Sequence, residues 1–159
     1  MRWQLGALAI GLLVSRVSGA EPARFALQGG QWGLGPTAEH AVAVQLELRP
    51  GVHWWWVRPV GGLVQSTDGT QFVYAGVLLD IPLALGLTLS PGFAPGIRTV
   101  DGTRDFGSRL LFKSSVELGV PLFPGLRGLV SFAHISNGKL ATPNPGIELL
   151  LFGLEVALE

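Results

Sequence analysis

The chain contains no cysteine in its 159 residues. That excludes disulfides as its means of stabilisation. It also lacks a charge excess: 11 Lys and Arg stand against 11 Asp and Glu, so no basic surface recommends a nucleic-acid partner. Beyond residue 20 it lacks any apolar run of 18 residues, although 48% of the residues are hydrophobic and the mean hydropathy is +0.43. A membrane-spanning helix is therefore excluded there. Metal ligands are scarce too. His40 and His53 lie on segments away from His134, so neither a metal nor a cofactor is expected.

The N-terminus has one short apolar stretch, Leu5 to Val14, with Arg2 before it and the small residues Ser18 and Ala20 after it. This is the layout of a secretory signal ending before Glu21. Ten apolar residues fall well short of the roughly 20 that cross a bilayer as a helix. We expect residues 1–20 to be cleaved and residues 21–159 to form one domain. Removing that segment takes away Arg2 and Arg16 and no acid, leaving nine basic and eleven acidic residues.

What is present in abundance is strict alternation. AVAVQLELR (41–49) sets Val42, Val44, Leu46 and Leu48 against Ala41, Ala43, Gln45, Glu47 and Arg49. SRLLFKSSVELGV (108–120) sets Leu110, Phe112, Val116, Leu118 and Val120 against Arg109, Lys113, Ser115, Glu117 and Gly119. LALGLTLS (83–90) and GIELLLFGLEVALE (146–159) follow the same rule. Taken together, one face of these stretches is largely apolar while the other combines small residues with charges of both signs. A soluble sandwich would wet its second face, whereas a narrow barrel in a membrane keeps its charges inside and its apolar face towards lipid. Closure is required, because every backbone group in hydrocarbon needs a partner. Arg49, Arg58, Arg109, Lys113 and Arg127 are expected to pair inside with Glu47, Glu117 and Glu155.

We therefore expect an all-β fold, an eight-stranded antiparallel transmembrane β-barrel, with strands near 23–34, 40–49, 54–65, 71–80, 83–93, 106–120, 125–137 and 146–158. Connections 49–51, 81–82 and 122–125 read as tight turns, and 35–39, 66–70, 93–105 and 137–145 as longer loops. Short turns on one rim and long loops on the other suit a bacterial outer-membrane barrel with its long loops outside. Trp54, Trp55 and Trp56 adjoin a short turn, where an interfacial aromatic girdle belongs. GGQWGLG (29–35) precedes no helix, so its glycines read as part of a crowded strand rather than a nucleotide loop. The DGT triplets at 68–70 and 101–103 read as turns.

One stretch breaks the pattern. In FAHISNGKLATPNPGIE (132–148), His134 and Ser136 share the parity of Val130 and Phe132 and so lie on the apolar face. Glu148 has the parity of Leu150, Phe152 and Leu154, and a nine-residue loop links the two strands. Three polar groups thus meet outside the barrel, near the rim with the long loops. Serine, histidine and a carboxylate are the parts of a nucleophilic acyl-transfer site. The plainer reading makes them polar residues at the edge of the apolar band; their convergence on adjacent strands argues for the site.

At these residues the sequence resembles the lipid A 3-O-deacylases of the PagL type, eight-stranded outer-membrane barrels that remove an ester-linked acyl chain from lipopolysaccharide. The resemblance rests on H-x-S-N followed by P-N-x-G-x-E: His134, Ser136, Asn137, Pro143, Asn144, Gly146 and Glu148. It implies Ser136 as nucleophile, His134 as general base and Glu148 as its orienting carboxylate. It further implies Asn144 as an oxyanion-hole side chain, with Asn137 and Gly138 in the oxyanion and substrate-binding group and a backbone N–H near Gly138 or Lys139 as second donor. The implied substrate is lipid A of the outer leaflet, cleaved at the 3-position. The rivals are a non-catalytic small barrel and a phospholipase or acyltransferase using the same residues. A homodimer is left open.

Overall fold

The computed structural model describes residues 17–18, 21–34 and 41–159. The expected signal segment therefore lies outside the described residues, apart from the backbone of Val17–Ser18, which pairs with His53–Trp54. The 35–39 loop and His40 lie outside them as well.

Eight long strands form the molecule: β1 (Arg24–Trp32), β2 (Ala41–Arg49), β3 (Val57–Ser66), β4 (Gln71–Leu79), β5 (Thr88–Val100), β6 (Leu110–Phe123), β7 (Leu126–Ser136) and β8 (Ile147–Ala157). Each pairs antiparallel with its successor, and β8 pairs with β1 from Leu149↔Trp32 to Ala157↔Arg24. The sheet is closed, as the alternation predicts. β2 displays the cause most simply: residues 41, 43, 45, 47 and 49 are buried and 42, 44, 46 and 48 exposed.

Because the lumen is narrow, side chains fill it in two tiers. Towards the end where β1 begins and β8 ends it carries charges. Arg49 bonds Glu117 (2.8 Å), Glu155 (2.6 Å) and Glu47. Lys113 bonds Glu47 (3.0 Å), Gln45 (2.7 Å) and the Tyr74 hydroxyl (3.0 Å). Gln28 and Arg24 add donors to Glu117 and Glu155. Each buried carboxylate meets a cation or several donors, the condition under which buried charge is tolerated. Towards the other end the lumen is apolar. Trp32, Phe72, Leu111, Ile135, Ile147, Leu149 and Leu151 pack there with Phe106, which drops in from the loop after β5. This apolar tier was not expected from the sequence, and two expected lumenal pairings differ. Arg58 pairs with Asp80 (2.7 Å) and Glu21 (3.0 Å), and Arg109 is exposed before β6.

The connections also shift. Ile81–Pro82 pairs with Thr88–Leu89, so the turn falls at 83–87, where Leu85 and Gly86 take φ of 59° and 75°. The alternation of 83–90 thus holds only from Leu87 onward. β5 then runs on to Val100 through residues expected in a loop. Pro95 is accommodated because pairing with β4 lapses between Phe93 and Gly96, and Pro91 lies just beyond the last β4 pair, Leu78↔Gly92. The 50–56 connection carries a small hairpin, Trp54 pairing with Val57 across Trp55 and Trp56, and all three tryptophans are exposed. The 67–70 connection is short. The long loops described are 101–109 and 137–146, at the rim opposite the start of β1 and the end of β8.

Candidate active site

At that rim the register of β7 sets the site. His134 lies directly opposite Glu148 on β8 and opposite Ser114 on β6, while Ser136, two residues on, lies opposite Phe112. All five side chains point outward. The His134 Nδ1 is 3.1 Å from Glu148 Oε1, and both side chains are 43% exposed. A carboxylate accepts only, so Nδ1 carries the proton and donates, leaving Nε2 as the free base.

Two glycines shape the setting. Gly146 has φ of +62°, and a Cβ there would stand 2.6 Å from His134 Cε1 and 3.1 Å from Nε2. The Cε1–Nε2 edge of the imidazole thus lies close to Gly146, whose carbonyl Arg104 holds from the 101–109 loop (3.3 Å). Gly138, φ +63°, turns the chain tightly under the Phe112 ring, which a Cβ would meet at 3.1 Å. Lys139 follows in the same left-handed region, φ 67°. That turn brings the Gly138 N–H towards Ser136 Oγ, 3.4 Å away.

The loop residues divide their labour. Asn137 is fully buried; its Nδ2 donates to the carbonyls of Phe106 (2.7 Å), Ala141 (2.9 Å) and Pro143 (3.0 Å), and its Oδ1 accepts from the Lys139 N–H (2.8 Å). Its side chain therefore braces the loops and does not face the site where the resemblance put it. The Lys139 N–H is committed to that brace, so of the two backbone donors the Gly138 N–H is the one turned towards Ser136. Asn144 Oδ1 accepts from the Asn137 N–H (3.0 Å), which leaves the Asn144 Nδ2 as a donor without a partner among the described residues. The hydrogen bonds among the described residues include none between Ser136 Oγ and the His134 ring. Sites without substrate commonly show such contacts long, tightening when substrate binds.

Residues 40–157 match the family model of the lipid A 3-O-deacylase (PagL). The chain belongs to this family. The matched range contains both the H-x-S-N and the P-N-x-G-x-E stretches, and the geometry gives the glycine of the second its reason, since a Cβ there would collide with the His134 ring. Over 130 residues the chain is 28% identical to the lipid A deacylase PagL of Bordetella bronchiseptica (strain ATCC BAA-588 / NCTC 13252 / RB50), an alignment that takes in 77% of this chain. The chain spans 62% of that relative's length. Its fold is similar to the crystal structure of the outer membrane enzyme PagL, with TM-score 0.67, 18% identity and coverage of 85% of this chain and 99% of that one. A transmembrane β-barrel designed de novo is also similar, with TM-score 0.60, 11% identity and coverage of 89% and 99%. The fold is thus shared by an outer-membrane enzyme and a designed barrel, so function has to be argued from a site and not from the barrel itself.

Sequence reasoning missed Ser114, Arg104 and Phe106. Ser114 alternates in phase with Phe112 and Val116, so parity alone assigns it to the outward face. Its place beside His134 depends on the β6–β7 register. Arg104 and Phe106 sit in a loop with no periodicity to read.

Proposed function

We propose that this protein is a serine esterase of the bacterial outer membrane that removes the 3-O-linked acyl chain of lipid A. The observation that carries the reading is the His134–Glu148 contact of 3.1 Å on the outward wall, with Ser136 two residues along the same strand, the Asn144 Nδ2 as a donor beside it and the Gly138 N–H turned towards Ser136 Oγ. Family membership supports the substrate class, and the closed barrel supports the location. Residues 1–20 are read as the export signal such a location requires.

In this reading His134 Nε2 takes the Ser136 hydroxyl proton as Oγ bonds to the ester carbonyl carbon. Glu148 holds the ring's tautomer and stabilises the imidazolium. The carbonyl oxygen becomes an oxyanion facing Asn144 Nδ2 and the Gly138 N–H, where one such donor contributes about 3 to 4 kcal/mol. The ester C–O bond then breaks, the sugar oxygen leaves with the proton from His134, and water releases the acyl group from Ser136 by the same steps. An ester is cleaved before an amide because alkoxide leaves more readily than amine. Substrate reaches Ser136 from the side, since the filled lumen has no room for an acyl chain.

Mass spectrometry of lipid A from cells expressing the protein tests this. The expected result is the loss of one hydroxyacyl unit, with amide-linked chains kept, and no change with Ser136→Ala. Unaltered lipid A alongside phospholipids that have lost fatty acid would keep the esterase and overturn the substrate.

A further inference from the structure

A hydroxyl on a lipid-facing wall is costly unless something bonds it. Ser114 presents one. It is exposed on β6, paired across the sheet with His134 on one side and Phe93 on the other, and makes no hydrogen bond among the described residues. The row Glu148, His134, Ser114, Phe93, Val77 thus crosses five adjacent strands and passes from polar to apolar at Ser114.

We infer that Ser114 is a specificity-determining residue, whose hydroxyl bonds a hydroxyl carried by the acyl chain close to the scissile carbonyl. The inference rests on the reading of Ser136 as nucleophile. Ser136 and Ser114 are diagonal neighbours on β7 and β6, a relation that sets Cα atoms about 7 to 8 Å apart. With both side chains pointing outward, a chain whose carbonyl carbon sits at Ser136 Oγ passes Ser114 within its first few carbons. Beyond that point the wall is apolar. Phe93 and Phe112 stack with centroids 5.9 Å apart, and Phe93 opens a groove with Val77, Leu79 and Pro91. A polar group further along the chain would meet only hydrocarbon. A hydroxyl on the third carbon meets Ser114, which can both donate and accept.

The test uses the full barrel in detergent and two synthetic glucosamine esters that differ only in a hydroxyl on the third acyl carbon. One neutral hydrogen bond corresponds to a preference of about threefold to tenfold for the hydroxylated ester. Ser114→Ala should bring the ratio of the two rates to about one, and Ser114→Thr should keep the preference. Heat-dependent migration on a gel verifies that each variant is folded. An unchanged ratio in Ser114→Ala would overturn the inference. So would equal slowing of both esters with a displaced pH profile, which would mean that Ser114 acts on His134. If the wild type cleaves neither ester while Ser136→Ala behaves identically, the reading of the site falls, and this inference with it.

Discussion

At the level of single residues, parity made the site legible. A strand repeats every two residues, so His134, Ser136 and Glu148 could be assigned to one wall from their distance to Phe132 and Leu150. Parity carries no information on what stands beside a residue on the next strand, which is why Ser114 went unmarked. Gly146 offers the sharpest check on the site geometry. Alanine there must both hold φ near +62° and place a Cβ against the imidazole, so the ring moves. Since a displacement of about 1 Å can cost about a hundredfold in rate, Gly146→Ala should lower kcat by about that factor while the barrel stays folded; an esterase assay with the heat-dependent gel shift as control measures both. In the proposed mechanism Glu148 orients the imidazole and takes no proton in turnover. Glu148→Ala should therefore cost less than Ser136→Ala or His134→Ala, by about tenfold or more. Comparable loss from Glu155→Ala in a folded barrel would contradict the assignment of Glu155 to the lumen, where it bonds Arg24 and Arg49.

At the level of elements, six of the eight strands lie close to the ranges read from alternation, and the errors gather around β5 and the start of β6. There two sequence signals misled. LALG alternates, yet its residues make a turn because Leu85 and Gly86 take left-handed backbone. Pro95 and the residues after it suggest a loop, yet β5 runs on through Pro95 where its ladder to β4 is interrupted. The loops at the far rim were legible only as loops. Their mutual bracing through Asn137, which links Phe106, Ala141 and Pro143, depends on contacts between segments about 30 residues apart. Removing that amide leaves three carbonyls short of a donor, and each buried unmade bond costs about 1 to 3 kcal/mol. Asn137→Ala should loosen the 137–146 loop while leaving the strands intact. Limited proteolysis should then cut between residues 138 and 146 well before the barrel unfolds, and activity should fall although Asn137 does not face substrate. Resistance equal to the wild type would show the brace to be dispensable.

At the level of the whole molecule, the two tiers of the lumen separate stability from chemistry. The alternation foretold charged residues inside, and Arg49 is indeed at the centre of Glu47, Glu117 and Glu155. It did not foretell the apolar tier, because Leu111, Ile135, Leu149 and Leu151 read as continuations of greasy strands whose inward face cannot be distinguished from the outward one by composition. That tier lies between the charge network and the rim where His134 and Ser136 stand. Replacing Arg49 by methionine keeps much of the volume but leaves three buried carboxylates with one principal cation fewer, a change that typically costs about 3 to 5 kcal/mol. Arg49→Met should accordingly lower the temperature at which the compact gel band is lost. The apolar tier buffers the rim from this change, and Arg49 touches no residue of the site, so the rate per folded molecule below that temperature should stay within about twofold of the wild type, since distant sites with no shared partners add nearly independently. A fall in rate matching the fall in stability would mean that the charge network reaches the outer wall through the strands, and that the two ends of the barrel act as one unit.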